Sequence, residues 1–227
     1  MRPEDPPEAF PDPALALREP DGLLAVGGDL SPERLLYAYR HGIFPWYDAD
    51  LPILWWSPDP RAVIFPDSLH VSRSLHRRLK RGDFELSFDR AFDAVMQACA
   101  GPRPQYPEGG TWINAEMTEA YRRLHALGHA HSVEVWMEGT LVGGLYGVAI
   151  GQVFFGESMF SRITDGSKIA LVSLARRLWG WGYACIDCQV HSEHLASLGS
   201  TRVPRGEFLR LLERHCTGAV SASAWSG

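Results

Sequence analysis

Residues 131–160 carry three apolar runs, HSVEVWM, TLVGGLYGVA and QVFFGESMF, separated only by Glu138-Gly139 and Ile150-Gly151. Breaks that short permit only antiparallel neighbours, because a parallel return needs a crossover of about a dozen residues or more. The chain supplies a crossover next. A helical pattern from Ser167 to Trp179, with Leu171, Leu174 and Leu178 inward, leads to a buried-strand pattern at 183–190. A meander, a helix and a parallel strand predict an α+β fold on one mixed sheet with flanking helices.

Upstream, Ser31 and Pro32 open a helix that Gly42 ends, with Leu35, Leu36 and Tyr39 on one face. Residues 72–81 form a short basic helix, and 89–100 a helix with Phe92, Val95, Met96 and Cys99 along its apolar side. Residues 114–128 are the clearest amphipathic helix, with a stripe of Met117, Ala120, Tyr121, Leu124 and Leu127. A last helix spans 204–215. The stretch 42–66 is loop and short strand, crowded with Trp46, Tyr47, Trp55 and Trp56. The expected organisation is a small aromatic-rich N-terminal domain at 1–65, a larger domain at 66–216, and a loose tail at 217–227.

The larger domain resembles the acyl-CoA N-acetyltransferase fold in segment order, a likeness of layout only. In that fold, backbone N–H groups of a glycine-rich loop hold a pyrophosphate just before the crossover helix. The same place here reads SRITDGSKIA, with one glycine and with Asp165, whose charge repels phosphate. Acetyl-CoA is therefore disfavoured.

Composition narrows the function classes. With a net charge of −5, any nucleic-acid contact must come from a local patch. No run approaches the ~20 apolar residues that span a bilayer, and the proline-broken start has no signal-peptide core. The four cysteines lack a disulfide framework. A cytoplasmic protein without membrane contact is expected.

Four patterns are candidates for chemistry. In CIDCQV (185–190), strand parity puts Asp187 and Gln189 on one face, a buried polar pair that needs a partner. Cys185, Cys188, His191 and His194 imitate a metal site, but the cysteines have opposite parity and the two pairs lie too close together to close a tetrahedron. In GESMF (156–160), Ser158 lacks the second glycine of a nucleophile elbow, while parity groups Glu157 with Phe155 and Met159 on an apolar face. An ion pair with Arg162 or Lys168 is the structural alternative for Glu157. Finally, Arg73, Arg77, Lys80 and Arg81 share one helical face. Beside exposed aromatics, such a face suits single-stranded RNA ends or loops.

GLLAVGGDLSPERLLYAYRHGIFPWY, ILWWSPDPRAVIFP, GTWI, FFGESMFSR, IDCQV and HLASLG, in that order, resemble the bacterial leucyl/phenylalanyl-tRNA–protein transferases. The likeness runs from about residue 10 to residue 212; the tail after Cys216 does not share it. It implies a small N-terminal domain on an acyl-CoA N-acetyltransferase-like domain, and a monomer without cofactor or metal. The implied activity transfers Leu or Phe, less readily Met, from Leu-tRNA or Phe-tRNA to proteins with N-terminal Arg or Lys, marking them for N-end rule degradation. Matched position by position, Asp187, Gln189 and Glu157 are catalytic, and Trp46, Trp112, Tyr39 and Tyr121 surround the terminal adenosine. Arg73, Arg77, Lys80 and Arg81 meet the acceptor stem. Met159 and Ile186 form the amino-acid pocket, with Leu145, Leu171 and Leu174 as further lining. A CoA-dependent acetyltransferase and a non-catalytic RNA-binding module are the competing readings.

Overall fold

The computed structural model describes residues 1–101 and 112–225. The chain first builds a small antiparallel sheet from β1 (Leu23–Val26), β2 (Phe44–Pro45) and β3 (Leu54–Trp56), with α1 (Pro32–Arg40) after β1. Then follow β4 (Arg61–Ile64), α2 (Arg73–Arg81), β5 (Glu85–Phe88), α3 (Phe92–Ala100) and α4 (Ala115–Ala126). The meander is β6 (Ala130–Met137), β7 (Thr140–Ile150) and β8 (Val153–Ser161), and α5 (Gly166–Trp181) crosses to β9 (Cys185–Gln189). The chain closes with α6 (Glu193–Ala196), β10 (Thr201–Val203) and α7 (Arg205–His215).

The large sheet has seven strands in the order β10-β4-β9-β8-β7-β6-β5, and β8–β9 is its parallel pair, as the crossover helix requires. One apolar core packs α1, α3, α4 and α7 on one face, and a second packs α2 and α5 on the other. Side-chain caps start the helices where expected: Ser72 accepts from the Leu75 amide at 3.2 Å, and Asn114 from the Met117 amide at 2.9 Å. Gly143 lets α5 approach β7. A Cβ there would sit 2.7 Å from the Gly166 carbonyl carbon.

Four features differ from the expectation. Residues 61–64 lie within the stretch assigned to the small domain, yet they form β4, inside the large sheet between β9 and β10. Leu127 falls one residue past α4 and is 59% exposed, so the stripe ends at Leu124. The tail is not loose: Ser221 donates its amide to the Trp181 carbonyl at 2.9 Å, and Trp225 packs against the second core. Parity also fails along β8. Phe155 belongs to the first core and Met159 packs against the second, because an extra residue intervenes between them.

That extra residue is Glu157. Tyr146 pairs with Ser158 and Gly147 with Gly156, which leaves Glu157 as the bulged position of β8. Cys188 holds the same place in β9, because Val63 pairs with Asp187 and Ala62 with Gln189. Parallel pairing between β8 and β9 covers Val153–Cys185, Phe154–Ile186 and Phe155–Asp187, then stops at the level of both bulges. Beyond that rung β8 follows β7 and β9 follows β4, so a wedge opens between them.

Candidate active site

The wedge holds a cavity of about 200 Å³. Leu145, Met159, Leu171 and Ile186 line it, as four of the five expected pocket residues. Leu174 does not; it is fully buried in the core under α5, a turn further along the helix. Phe154 and Leu195 complete the apolar wall, and His194 stands in the lining with Ser192. Burial, with Lys168 nearby, holds the His194 imidazole below its usual range. A second hollow, about 160 Å³, lies against the first and is lined by Trp46, Val190 and Gln189. The two share Glu157, Trp112 and Cys188.

Glu157 is held by three donors. The Tyr39 hydroxyl donates to Oε1 at 2.7 Å, the Tyr121 hydroxyl to Oε2 at 2.8 Å, and Gln189 Nε2 to Oε1 at 2.7 Å. No ion pair to Arg162 or Lys168 forms: Arg162 donates to the Leu141 carbonyl, and Lys168 pairs with Asp165. Burial pushes the Glu157 carboxyl up to about 7, and the negative charge of Asp187 adds to the rise, while its three donors oppose it. Two hydroxyls and an amide thus hold a carboxyl poised to exchange a proton near neutrality.

Tyr39 and Tyr121 are fully buried and touch one another through their hydroxyls, so neither ring is open to stack on a base. Burial raises both phenols well above their usual range, which keeps them donors. Among the aromatics of 42–66, Tyr47 and Trp55 are core, and Trp46 is 44% exposed at the second hollow. Of the four aromatics expected around the adenosine, Trp46 and Trp112 line that hollow.

Asp187 does not face either hollow. It is completely buried, and the guanidinium of Arg61 clamps it through Nε–Oδ1 at 2.9 Å and Nη2–Oδ2 at 2.7 Å. Arg61, itself 1% exposed, also donates to the Gly42 carbonyl at 2.9 Å and lies between the Phe44 and Phe208 rings. Asp187 Oδ1 accepts the Gln189 amide at 2.9 Å, and Gln189 sits at φ 60°, a left-handed turn that a glutamine rarely adopts. The pair thus braces the turn that carries the Gln189 side chain to Glu157. Arg61 was not singled out in the sequence. An arginine heading the apolar run RAVIF is its one trace, and only the β4–β9 register gives it a partner.

The leucyl/phenylalanyl-tRNA protein transferase family model matches residues 63–213, and the model of that family's N-terminal domain matches residues 28–59. A leucyl/phenylalanyl-tRNA–protein transferase of Stutzerimonas stutzeri is 59% identical over 96% of this chain and 95% of its own length. One from Nitrosomonas europaea is 60% identical over 90% and 86%. The chain belongs to the leucyl/phenylalanyl-tRNA protein transferase family. Among solved structures, L-PGS from Bacillus licheniformis aligns with 73% of this chain and 55% of its own at TM-score 0.42 and 13% identity. A GCN5-related N-acetyltransferase from Kribbella flavida aligns with 76% and 61% at 0.39 and 13%.

In this transferase the first matched stretch ends just past β3 and the second begins within β4, so the junction falls where the chain leaves the small sheet for the large one. At the start of α5 two backbone amides are already taken. The Ser167 amide is bonded to Ser161 Oγ at 2.6 Å and the Gly166 amide to the Ile163 carbonyl at 3.2 Å. Arg73, Arg77 and Lys80 lie exposed on α2, without an ion pair among the described residues. Arg81 shares Asp83 with Arg78, at 2.8 and 2.6 Å, so its charge is partly compensated. Just before α2, His70 donates its amide to the Leu198 carbonyl at 3.0 Å, two residues past α6. Among the described residues no helix is long and apolar enough to cross a membrane.

Proposed function

We propose that this transferase joins leucine or phenylalanine, and less readily methionine, from an aminoacyl-tRNA to the α-amino group of a protein that begins with Arg or Lys, tagging it for N-end rule degradation. The observation that carries the reading is Glu157 standing in the wall shared by an apolar cavity and an aromatic hollow. The aminoacyl side chain occupies the cavity of the wedge, and the terminal adenosine stacks against Trp46 and Trp112. The ester carbonyl then lies beside Glu157.

The amine attacks that carbonyl, a C–N bond forms, and the C–O bond to the ribose breaks. No outside energy source is needed, because an ester is exchanged for an amide. An α-amino group has a pKa of about 7.7–8.0, so much of it is neutral at working pH. Holding amine and ester together supplies up to about 7–11 kcal/mol. The nitrogen becomes cationic on attack. Its proton passes to the Glu157 carboxylate and from there to the departing ribose oxygen. Gln189, its nitrogen committed to Glu157, offers its amide oxygen to the incoming amine. Asp187 acts through Arg61 and the Gln189 turn, not as the proton acceptor.

An apolar cavity discriminates by only about 1–3 kcal/mol per methylene, so Leu, Phe and Met are separated by shape and incompletely. The deciding assay offers Phe-tRNA or acetyl-CoA with a peptide beginning in Arg. A mass gain of one phenylalanine residue from Phe-tRNA is expected. No gain from Phe-tRNA, or an acetyl gain, overturns the reading. For the basic helix, Arg77→Ala and Lys80→Ala are each expected to weaken tRNA binding and flatten its dependence on log salt by about 0.7–0.9. Arg81→Ala should do less, because Asp83 already shares its charge. Binding titrations at several salt concentrations check both.

A further inference from the structure

We infer that Trp225 is a positioning residue that sets the size of the amino-acid cavity through Phe154, an inference that rests on the transfer reaction proposed above. Phe154 is completely buried, yet its ring forms part of the cavity wall. A side chain beside empty space lacks packing partners on that side, so its position depends on what holds it elsewhere. Two features do so. Gly147 on β7 leaves room for the ring: a Cβ there would come within 2.6 Å of two ring carbons of Phe154. Trp225, brought back from beyond α7, stacks on Phe154 with centroids 5.7 Å apart and planes 27° off parallel.

Trp225 is itself fixed from several directions. Its indole lies flat on the His131 imidazole, at 3.9 Å and 8°, and His131 is bonded to Asp89 at 2.7 Å. Trp181 packs against the indole at 5.1 Å, and the indole N–H donates to the Tyr183 hydroxyl at 2.9 Å. The backbone pays for this placement with a left-handed φ of 63°. The tail is pinned along the way, where Gln152 Nε2 donates to the Ala219 carbonyl at 3.1 Å. Trp225 therefore reaches the cavity wall from the tail after α7, outside the strands that form the wedge.

The test is a competition: equal amounts of Leu-tRNA and Phe-tRNA are offered with an Arg-initiated peptide, and the product ratio is read by mass. That ratio does not depend on how much enzyme is folded, so a purely structural role for Trp225 leaves it unchanged. With Trp225→Ala, Phe154 gains room to withdraw, and the Phe:Leu ratio is expected to rise about fivefold, within the range that apolar pockets discriminate. Phe154→Leu should shift the ratio the same way, and adding Trp225→Ala to it should change little further, because the two act through one ring. An unchanged ratio in Trp225→Ala, or full additivity in the double variant, overturns the inference. Should Trp225→Ala not fold, Trp225→Leu read in the same competition decides it. A wild-type enzyme that forms neither product would instead refute the proposed reaction itself.

Discussion

Glu157→Gln is expected to lower the single-turnover transfer rate by about 10²–10⁴-fold, the usual worth of a positioned proton acceptor. Glutamine keeps the shape and can still accept from Tyr39 or Tyr121, so tRNA binding should persist. The pH profile is the sharper reading. With its carboxyl pushed up to about 7, Glu157 takes up a proton below that pH, and wild-type transfer should climb as pH rises through it. The variant should retain only the later rise from the acceptor amine, near its pKa of about 7.7–8.0. Stability runs the other way. A carboxyl raised in the fold above its ordinary 4.5 contributes stability that is fully present below 4.5 and lost as pH rises through about 7. Between those values the native chain holds a proton that the unfolded chain has released. Wild type should therefore weaken between pH 5 and 8 in urea titrations, and Glu157→Gln should lack that decline. A variant that keeps the rising limb near pH 7 and loses less than about tenfold in rate removes Glu157 from the proton path.

Asp187→Asn is expected to fail for a different reason. It leaves the Arg61 guanidinium charged and unpaired where both side chains are buried, 1% and 0% exposed, which costs about 3–5 kcal/mol. For a chain of this size that lowers the melting temperature by about 10 °C. Arg61→Met should cost at least as much, because it strands the carboxylate. Joining Arg61→Met with Asp187→Leu exchanges the pair for apolar bulk and should recover most of the stability, since buried pairs are often neutral against such replacements. Transfer should not return with it, because the bond from the Gln189 amide to Asp187 is gone and the left-handed turn loses its brace. Thermal unfolding and single-turnover rates on the same three variants check this. An Asp187→Asn protein that melts like wild type but transfers poorly would instead point to Asp187 as a direct participant.

The meander, the crossover helix and the parallel strand were readable because each rests on local periodicity and on how far a short turn can reach. The helix start at Ser31 was readable from its Ser-Pro pair, and the helices expected from 72 and 114 begin on residues whose side chains cap them. The site was readable in part. Family resemblance selected Glu157, Gln189, Trp46 and Trp112 at the wedge, and four of the five pocket residues line the cavity. Leu174, which periodicity placed inward and the resemblance placed in the pocket, lies in the core one turn from the cavity, because an inward helix face does not say which of its turns meets empty space. Parity predicted one face for Phe155, Glu157 and Met159, and it broke at the bulge, which depends on the partner strand. Tyr39 and Tyr121 have rings in the core and hydroxyls at the site, a division within one side chain that no pattern of residue types expresses.

What the sequence alone determined is the order and kind of elements, the family, and the residue types assembled at the wedge, all consequences of spacing along one chain. What only the tertiary structure decided is which groups meet. Arg61 reaches Asp187 across 126 residues, Tyr39 reaches Glu157 across 118, and Trp225 comes back onto Phe154. Those pairings depend on strand register, on two bulges set side by side, and on the packing of distant segments. They are long-range choices made by burial and hydrogen bonding: they set Asp187 against Arg61 in the core and leave Glu157 in the wall of the wedge.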